Sequence, residues 1–277
     1  MIVKYLGTGA AEGIPAVFCH CDICKHARKY KNRNIRTRAQ ALIDNKILID
    51  FGPDTYLHSL QYDIELADIH ECLITHAHND HLYEDDLRSR RSPIANLVPG
   101  TPVLNIYGGM GVEKILNPSG DGSVTEDKSV CFHTVKPFEK FKISNDYLVT
   151  AIPAMHRAHE PFVYIIEHNS KAFLYAHDTD YFEEAVWKYL KDNNIYFNAV
   201  SLDCTEGRKH IDYRGHMNFE RMQNVCERMR SDGLINQNTK IVANHFSHNG
   251  LTTYDEAKKI GDLLGYIIAY DGMNLYV

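Results

Sequence analysis

The chain has 277 residues, 44% of them apolar and 24% charged, which is enough for one large α/β domain or two small ones with a substantial core. Its formal net charge of −6 argues against a dedicated nucleic-acid binder, because phosphate backbones call for a basic surface. No apolar run approaches ~20 residues, so no membrane-spanning helix is expected.

The first residues, Met1-Ile2-Val3-Lys4-Tyr5-Leu6, alternate like a strand and do not read as a signal peptide, so a cytoplasmic location is expected. Seven cysteines in a reducing compartment are then thiols or metal ligands rather than disulfides, and sixteen histidines add a first sign of metal chemistry. Strands are expected at residues 2–6, 41–44, 47–50, 71–75, 103–107, 147–152, 162–167, 172–176, 199–202, 240–243 and 266–270. Helical faces follow in the later part: Phe182, Val186, Tyr189 and Leu190; Phe219, Met222, Cys226 and Met229; Ala257, Ile260 and Leu264. Strands come in pairs early and alternate with helices late, which suits two stacked sheets with helices outside, in a single domain over residues 1–277. Residues 99–128, rich in Gly and Pro, are expected to form a loop-heavy excursion over the site.

The strongest chemical signal is Thr75-His76-Ala77-His78-Asn79-Asp80-His81, directly after the apolar run Cys72-Leu73-Ile74. A strand ends there, and a tight loop presents three imidazoles and a carboxylate within six residues. Divalent metals need such nitrogen and oxygen donors converging on a small volume. The motif resembles the metallo-β-lactamase superfamily, and further matching segments follow in order along nearly the whole chain. Leu48-Ile49-Asp50-Phe51-Gly52 resembles the strand-end Asp-x-Gly that supports the metal loop. Pro153-Ala154-Met155-His156, Tyr175-Ala176-His177-Asp178-Thr179 and Ala243-Asn244-His245-Phe246-Ser247 resemble the segments that carry the remaining ligands.

The resemblance implies a four-layer αββα sandwich, two mixed sheets flanked by helices. It implies two active-site divalent ions, manganese, zinc or iron, with His76, His78 and His156 on one, Asp80, His81 and His245 on the other, and Asp178 bridging. His159 competes with His156 for its place, and His177 is expected to stand behind the ligands or to be unrelated.

A second cluster, Phe18-Cys19-His20-Cys21-Asp22-Ile23-Cys24, places three thiols within six residues and needs a fourth ligand to close a tetrahedral zinc site. With Gly7-Thr8-Gly9 and Gly13-x-Pro15 before it, this resembles the phosphoribosyl cyclic phosphate phosphodiesterase family of phosphonate metabolism. The family pattern implies a structural zinc on Cys19, Cys21, Cys24 and His248. It also gives the histidine of Gly215-His216-Met217 a role at the substrate phosphate or the leaving oxygen. Cys72, Cys131, Cys204 and Cys226 read as small core residues. Arg88, Arg90, Arg91 and the seven lysines and arginines from Lys25 to Arg38 form either a solvated face or a collector for a phosphate-bearing substrate.

The function these residues imply is metal-dependent hydrolysis of a small phosphodiester, cyclic or open, with His216 and Asp80 as the catalytic side chains. The alternatives are a ribonuclease Z-like RNA-processing nuclease, which the negative charge disfavours, a lactonase or other carboxyl-ester hydrolase, and a non-catalytic accessory protein. A small-molecule partner is expected, with no membrane partner, and a homodimer is left open.

Overall fold

Alternation of apolar side chains along the strands builds two sheets with two buried faces each. The computed structural model describes residues 1–117, 124–126 and 128–277. The first sheet takes β1 (Ile2–Gly7), β2 (Gln40–Ile43), β3 (Ile47–Ile49), β4 (Glu71–Leu73), β5 (Leu104–Gly108) and β6 (Val130–Thr134). The second takes β7 (Lys140–Ile143), β8 (Tyr147–Pro153), β9 (Phe162–His168), β10 (Lys171–Ala176), β11 (Ala199–Asp203), β12 (Lys240–Asn244) and β13 (Ile267–Ile268), and β14 (Asn274–Tyr276) returns to the first sheet beside β1. Among the described residues each sheet has seven strands, ordered β14-β1-β2-β3-β4-β5-β6 and β13-β12-β11-β10-β9-β8-β7.

Both sheets repeat one plan. Antiparallel pairs come first, and parallel crossovers follow from β3 to β6 and from β10 to β13. The expected division into early pairs and late alternation is therefore corrected: each sheet contains both. The earlier crossovers were hard to see because their helices are short. These are α2 (Thr55–Tyr62), α3 (Glu84–Leu87) and α4 (Met110–Leu116), whereas α1 (Asp22–Tyr30) follows the cysteine loop. The later helices are α5 (Glu184–Asp192), α6 (Phe219–Ser231) and α7 (Tyr254–Leu264). Helix α7 starts on a capping box of Thr253 and Glu256 and ends at Gly265, whose φ of 75° suits a residue without a Cβ.

On β9, Tyr164 and Ile166 face the core between the sheets, with Val3, Ile49, Leu73 and Phe173. Val163 and Ile165 face the other way, toward Trp187 of α5 and Met222 and Met229 of α6. The outer face of the first sheet packs Leu48, Ile74 and Ile106 against Val112 and Leu116 of α4. These three cores separate four layers, the αββα sandwich. The described part of residues 99–128 is not only loop. It contains β5 and α4, and the part of the expected loop at residues 118–123 and 127 lies outside the described residues. No helix among the described residues is long and apolar enough to cross a membrane.

The register places several strand ends at one rim. Ile49 pairs with Leu73 across β3 and β4, Ala176 with Leu202 across β10 and β11, and Asp203 with Asn244 across β11 and β12. The loops leaving these parallel strands all open on the same side, where open α/β sheets bind ligands. The two sheets are tied at that rim, where Phe162 N donates to Thr75 O at 2.8 Å and Tyr164 Oη to Ile74 O at 2.7 Å.

Candidate metal centre

At three of these strand ends the chain turns through left-handed backbone on a residue that is not glycine: Asp50 (φ 67°), Asp178 (φ 50°) and His245 (φ 63°). Such residues cost about 1–3 kcal/mol each and concentrate at functional sites. Here each swings a side chain onto the rim. Gly52 is required for a different reason. A Cβ there would lie 2.0 Å from the Asp80 carbonyl, so only glycine lets the segment after β3 run against the metal loop.

The side chains converge in two adjoining groups. His76 Nε2 lies 2.9 Å from His78 Nδ1, and His156 Nε2 lies 3.3 Å from the same atom. In the second group, His81 Nε2 is 3.1 Å from Asp80 Oδ2 and 2.6 Å from Asp178 Oδ2, and His245 Nε2 is 3.0 Å from Asp178 Oδ2. The other Asp178 oxygen, Oδ1, faces the first group, 3.7 Å from His156 Nε2. Asp178 thus spans both.

The fold implies divalent ions here, and the donors fit them. Asp178 Oδ2, His81 Nε2 and His245 Nε2 are buried and close together, yet none makes a hydrogen bond. Spacings near 3 Å without hydrogen-bond geometry match the edge of a coordination polyhedron with metal–ligand bonds of about 2.0–2.1 Å. Charge points the same way. Burial works against a charged His81, but Asp80, Asp50 and Asp178 outweigh it and push its pKa well above the ordinary imidazole value. Burial alone would raise Asp178, but His245 and His81 hold its carboxyl well below the usual range. Such a knot of carboxylates calls for a cation.

A second layer of bonds orients these donors, as metal sites require. Asp50 is wholly buried; its Oδ1 accepts from Thr75 N at 2.8 Å and its Oδ2 meets His81 Nδ1 at 2.7 Å. Asp203 is equally buried. It accepts from Asp178 N at 3.0 Å, Thr205 N at 3.0 Å and Met217 N at 2.9 Å, and His216 Nδ1 lies 3.2 Å away. Thr205 Oγ1 meets His245 Nδ1 at 2.9 Å. Burial disfavours a charged His216, but Asp203 and Asp178 outweigh it and push its pKa up to about 9. His216 Nδ1 is 3.6 Å from Asp178 Oδ1, so this ring borders the cluster. It precedes α6, whose N-cap is Asn218, rather than opening the helix.

The segment carrying His216 is clamped from behind. Arg221 Nη1 donates to Asp180 Oδ2 at 2.7 Å and to Tyr213 O at 2.6 Å, and Arg221 Nη2 donates to Ile211 O at 3.3 Å. Asp180 also accepts from Gly215 N at 3.2 Å, and Gly215 O meets His156 Nδ1 at 3.1 Å. One ion pair, with Asp180 buried and Arg221 half-buried, therefore sets both His216 and His156. The loop holding His156 has a further support at the start of α4, where Met110 N donates to Glu160 Oε2 at 2.7 Å. A Cβ on Gly111 would lie 2.5 Å from the His159 carbonyl.

The cysteine cluster lies beside this centre. His248 Nδ1 is 3.5 Å from Cys19 Sγ and 3.4 Å from Cys21 Sγ, and the four donor atoms with Cys24 lie within 4.8 Å of one another. A tetrahedral zinc with Zn–S of about 2.3 Å and Zn–N of about 2.0 Å has an S···N edge of roughly 3.5 Å, so the donors are spaced for such an ion. All three thiols are free of disulfides. Glu12 Oε1, 3.4 Å from His248 Nε2, faces the second ring nitrogen.

The structure thus brings together His76, His78, Asp80, His81, His156, Asp178 and His245, with His216 beside them, and separately Cys19, Cys21, Cys24 and His248. His159 is exposed and takes no part. His177 is buried with Nε2 2.8 Å from Ser201 Oγ, and it stacks on His245 from behind. Cys131 is a correction: it is exposed on the edge strand β6, whereas Cys72, Cys204 and Cys226 are buried. The basic residues do not line the cleft, and Lys25, Arg28, Lys29, Lys31 and Arg33 are exposed, as a solvated face would be. Arg28 holds Cys19 O and Ala16 O, Arg33 stacks on Tyr270, Arg36 is buried against Thr8 and Phe246, and Arg38 pairs with Asp54. Arg90 binds the carbonyls of Ala67 and Pro102, and Arg91 faces Glu126. Sequence reasoning missed Asp203, Thr205 and the Arg221–Asp180 pair. The signal available for Asp203 was an acid closing an apolar strand.

A profile of the beta-lactamase superfamily domain matches residues 45–235, more than half of the chain. The chain belongs to that superfamily, in the metal-dependent hydrolase class that its fold and donor cluster define. Among solved structures it is similar to a diphosphatase from the PhnP family, with a TM-score of 0.74 and 21% identity over 99% of this chain and 96% of that one. It is similar to zinc-bound PqqB from Methylobacterium extorquens (TM-score 0.75, 18% identity, 100% of both chains). Human tRNase Z, short form, matches with a TM-score of 0.59 and 16% identity over 100% of this chain and 99% of that one. At these identities the likeness concerns the fold. An octanoyltransferase from Porphyromonas gingivalis is 38% identical over 87 residues, which are 30% of this chain and only 17% of that protein.

Proposed function

We propose that this chain hydrolyses a small phosphodiester at a dinuclear divalent-metal centre. His76, His78 and His156 would hold one ion, Asp80, His81 and His245 the other, and Asp178 both. Cys19, Cys21, Cys24 and His248 would hold a structural zinc. Ions bound at the centre supply Lewis acidity toward a phosphoryl group and a nucleophile at neutral pH. The protein's own part is positional. Asp50 fixes the His81 ring, Asp203 and Thr205 fix His245, and Asp80 and Asp178 set the negative side of the centre.

The observation that carries the phosphodiester reading is the place of His216. It sits in the cleft with Nδ1 against Asp203 and Asp178, so its Nε2–H can donate to a departing alkoxide. A carboxyl ester or lactone makes less demand for that proton at the leaving oxygen. RNA processing needs cations leading into the site, and among the described residues no lysine or arginine of the 25–38 run lines the cleft.

The test is turnover of bis-p-nitrophenyl phosphate by protein loaded with manganese or zinc, beside lactones and a transfer-RNA precursor. Asp80→Ala and His81→Ala should each lose one metal per chain and most turnover. Full turnover by either variant, or lactone cleavage with no diester cleavage, would overturn the reading.

A further inference from the structure

Thr205 lies just beyond β11, 5% exposed on the wall of the cleft over the paired sites. Its backbone is held first. Thr205 N donates to Asp203 Oδ1 at 3.0 Å, and Thr205 O accepts Ser247 N at 3.1 Å. From that fixed point the side-chain oxygen meets three groups: Asp203 Oδ2 at 3.0 Å, His245 Nδ1 at 2.9 Å and His216 Nδ1 at 3.2 Å. The two imidazole planes are inclined by 13° with centroids 6.0 Å apart, two nearly parallel rings hung from one hydroxyl.

Counting protons fixes the direction of each bond. A hydroxyl has one hydrogen to give and two lone pairs with which to accept. Asp203 already accepts the N–H groups of Asp178, Thr205 and Met217 and acts as an acceptor only, so the Thr205 hydrogen goes to its Oδ2. Both lone pairs of Oγ1 are then left for the Nδ1–H groups of the two histidines. For His245 this is the near acceptor, because Asp203 Oδ2 stands 3.6 Å from its Nδ1. His216 divides its Nδ1–H between Thr205 Oγ1 and Asp203 Oδ2, each at 3.2 Å. With Nδ1 protonated, His245 presents a bare Nε2 beside Asp178 Oδ2, 3.0 Å away. His216 presents Nε2 on the side of its ring away from Asp203. The hydroxyl is thereby saturated and has no bond left for a ligand, although it borders the cleft.

We infer that the Thr205 hydroxyl is a positioning group shared by the metal centre and the proton donor: one oxygen sets the tautomer that leaves His245 Nε2 free for an ion, and aims His216 Nε2–H at the leaving oxygen. The inference rests on the phosphodiesterase reading above and deepens it. Thr205 acts through the two rings and touches no reacting atom. A metal-bound imidazole needs such a partner on its second nitrogen, and here the same partner also steers the acid.

The test pairs Thr205→Val, which puts a methyl group in place of the hydroxyl, with Thr205→Ser, which keeps the hydroxyl. Thr205→Val should weaken the hold on one of the two ions by about 10-fold or more, read by chelator competition, and leave the other unchanged. At saturating metal its kcat should fall at least about 10-fold further on methyl phenyl phosphate than on methyl p-nitrophenyl phosphate, whose leaving group needs no proton. That excess should vanish in the His216→Ala background. Thr205→Ser should restore both the ion and the leaving-group dependence. Nitrogen NMR of zinc-loaded wild type with isotope-labelled histidine decides the matter even if a variant folds poorly: His245 and His216 should both carry hydrogen on Nδ1. A bare Nδ1 on either ring, an unchanged hold on both ions in Thr205→Val, a Thr205→Ser variant as poor as Thr205→Val, or an excess that survives His216→Ala would overturn the inference while bis-p-nitrophenyl phosphate is still cleaved. No cleavage of any diester by loaded wild type would overturn the phosphodiesterase reading and the His216 half with it, and the nitrogen and metal measurements would still decide the His245 half.

Discussion

Arg221→Ala removes a guanidinium that makes four contacts behind the site, to Asp180 and to the carbonyls of Ile211, Tyr213 and His216. Asp180 is 3% exposed and Arg221 23%, so the variant leaves a buried carboxylate without its main partner. Breaking such a pair costs about 3–5 kcal/mol. Asp180 keeps the N–H of Tyr181 at 2.6 Å and of Gly215 at 3.2 Å, and Arg214 Nε stands 3.9 Å away, which favours the low end, about 3 kcal/mol. A chain of this length has an unfolding entropy of about 0.6 kcal/mol/K, so Tm should fall by about 5 °C. The loop carrying His216 should loosen too, lowering kcat by about 10²-fold through misplacement. Calorimetry of Arg221→Ala, Asp180→Ala and the double variant measures the coupling. A Tm within about 1 °C of wild type, or additive single effects, would refute the clamp.

His216→Ala should keep fold and metal content and lose ~10²–10⁴-fold in rate, less for esters with good leaving groups; a uniform loss across leaving groups would instead point to phosphate binding. Cys21→Ser or His248→Ala should lower the melting temperature and remove one zinc per chain by elemental analysis while the dinuclear pair stays bound; two metals rather than three in fully loaded wild type would speak against the cysteine site. Gly52→Ala should displace the Asp80 carbonyl and cut metal occupancy of the centre, read by titration against a chromophoric chelator. His58 is held down to about 4, chiefly by burial, with Asp54 working the other way. The unfolded chain therefore takes up that proton first, and stability present above pH 6.5 is lost as pH falls toward 4. The loss is about 3 kcal/mol. His58→Gln should flatten this limb in urea melts taken from pH 7 to pH 4.

The parts of the site legible in the sequence were those packed into short segments. His76 to His81 sit on one loop, and Cys19 to Cys24 on another, so spacing alone announced two clusters of candidate metal donors. Asp178, His156 and His245 stand alone in their segments and could be placed only through the order of a known pattern. Asp203 and Thr205 carry no spacing signal at all, because their importance comes from register: β11 ends between β10 and β12, which puts Asp203 behind both His245 and His216. The basic runs left two readings open because charge density along a chain says nothing of direction. Arg36 lies 4% exposed inside the fold, bonded to Thr8 at 2.7 Å. The first-sheet helices were missed because α3 and α4, at four and seven residues, are too short to show a period.

The ligands appear along the chain in the order 76–81, 156, 178 and 245, and the cysteine loop waits for His248 near the far end. The N-terminal segment is closed onto that far end by Phe246, whose N–H reaches Thr8 O and whose carbonyl receives Ala10 N-H, both at 3.0 Å. During synthesis, at roughly 5–20 residues per second, the His76–His81 loop therefore exists for about ten to thirty seconds before His245 does. For that interval the nascent chain would offer only partial donor sets, four on the His76–His81 loop and three on the Cys19–Cys24 loop. The full donor set would form only when the second sheet docks, with Asp178 made first and His245 last. On the proposed dinuclear reading, the choice among competing metals would fall to the finished fold and to the ions present at release rather than to the growing polypeptide.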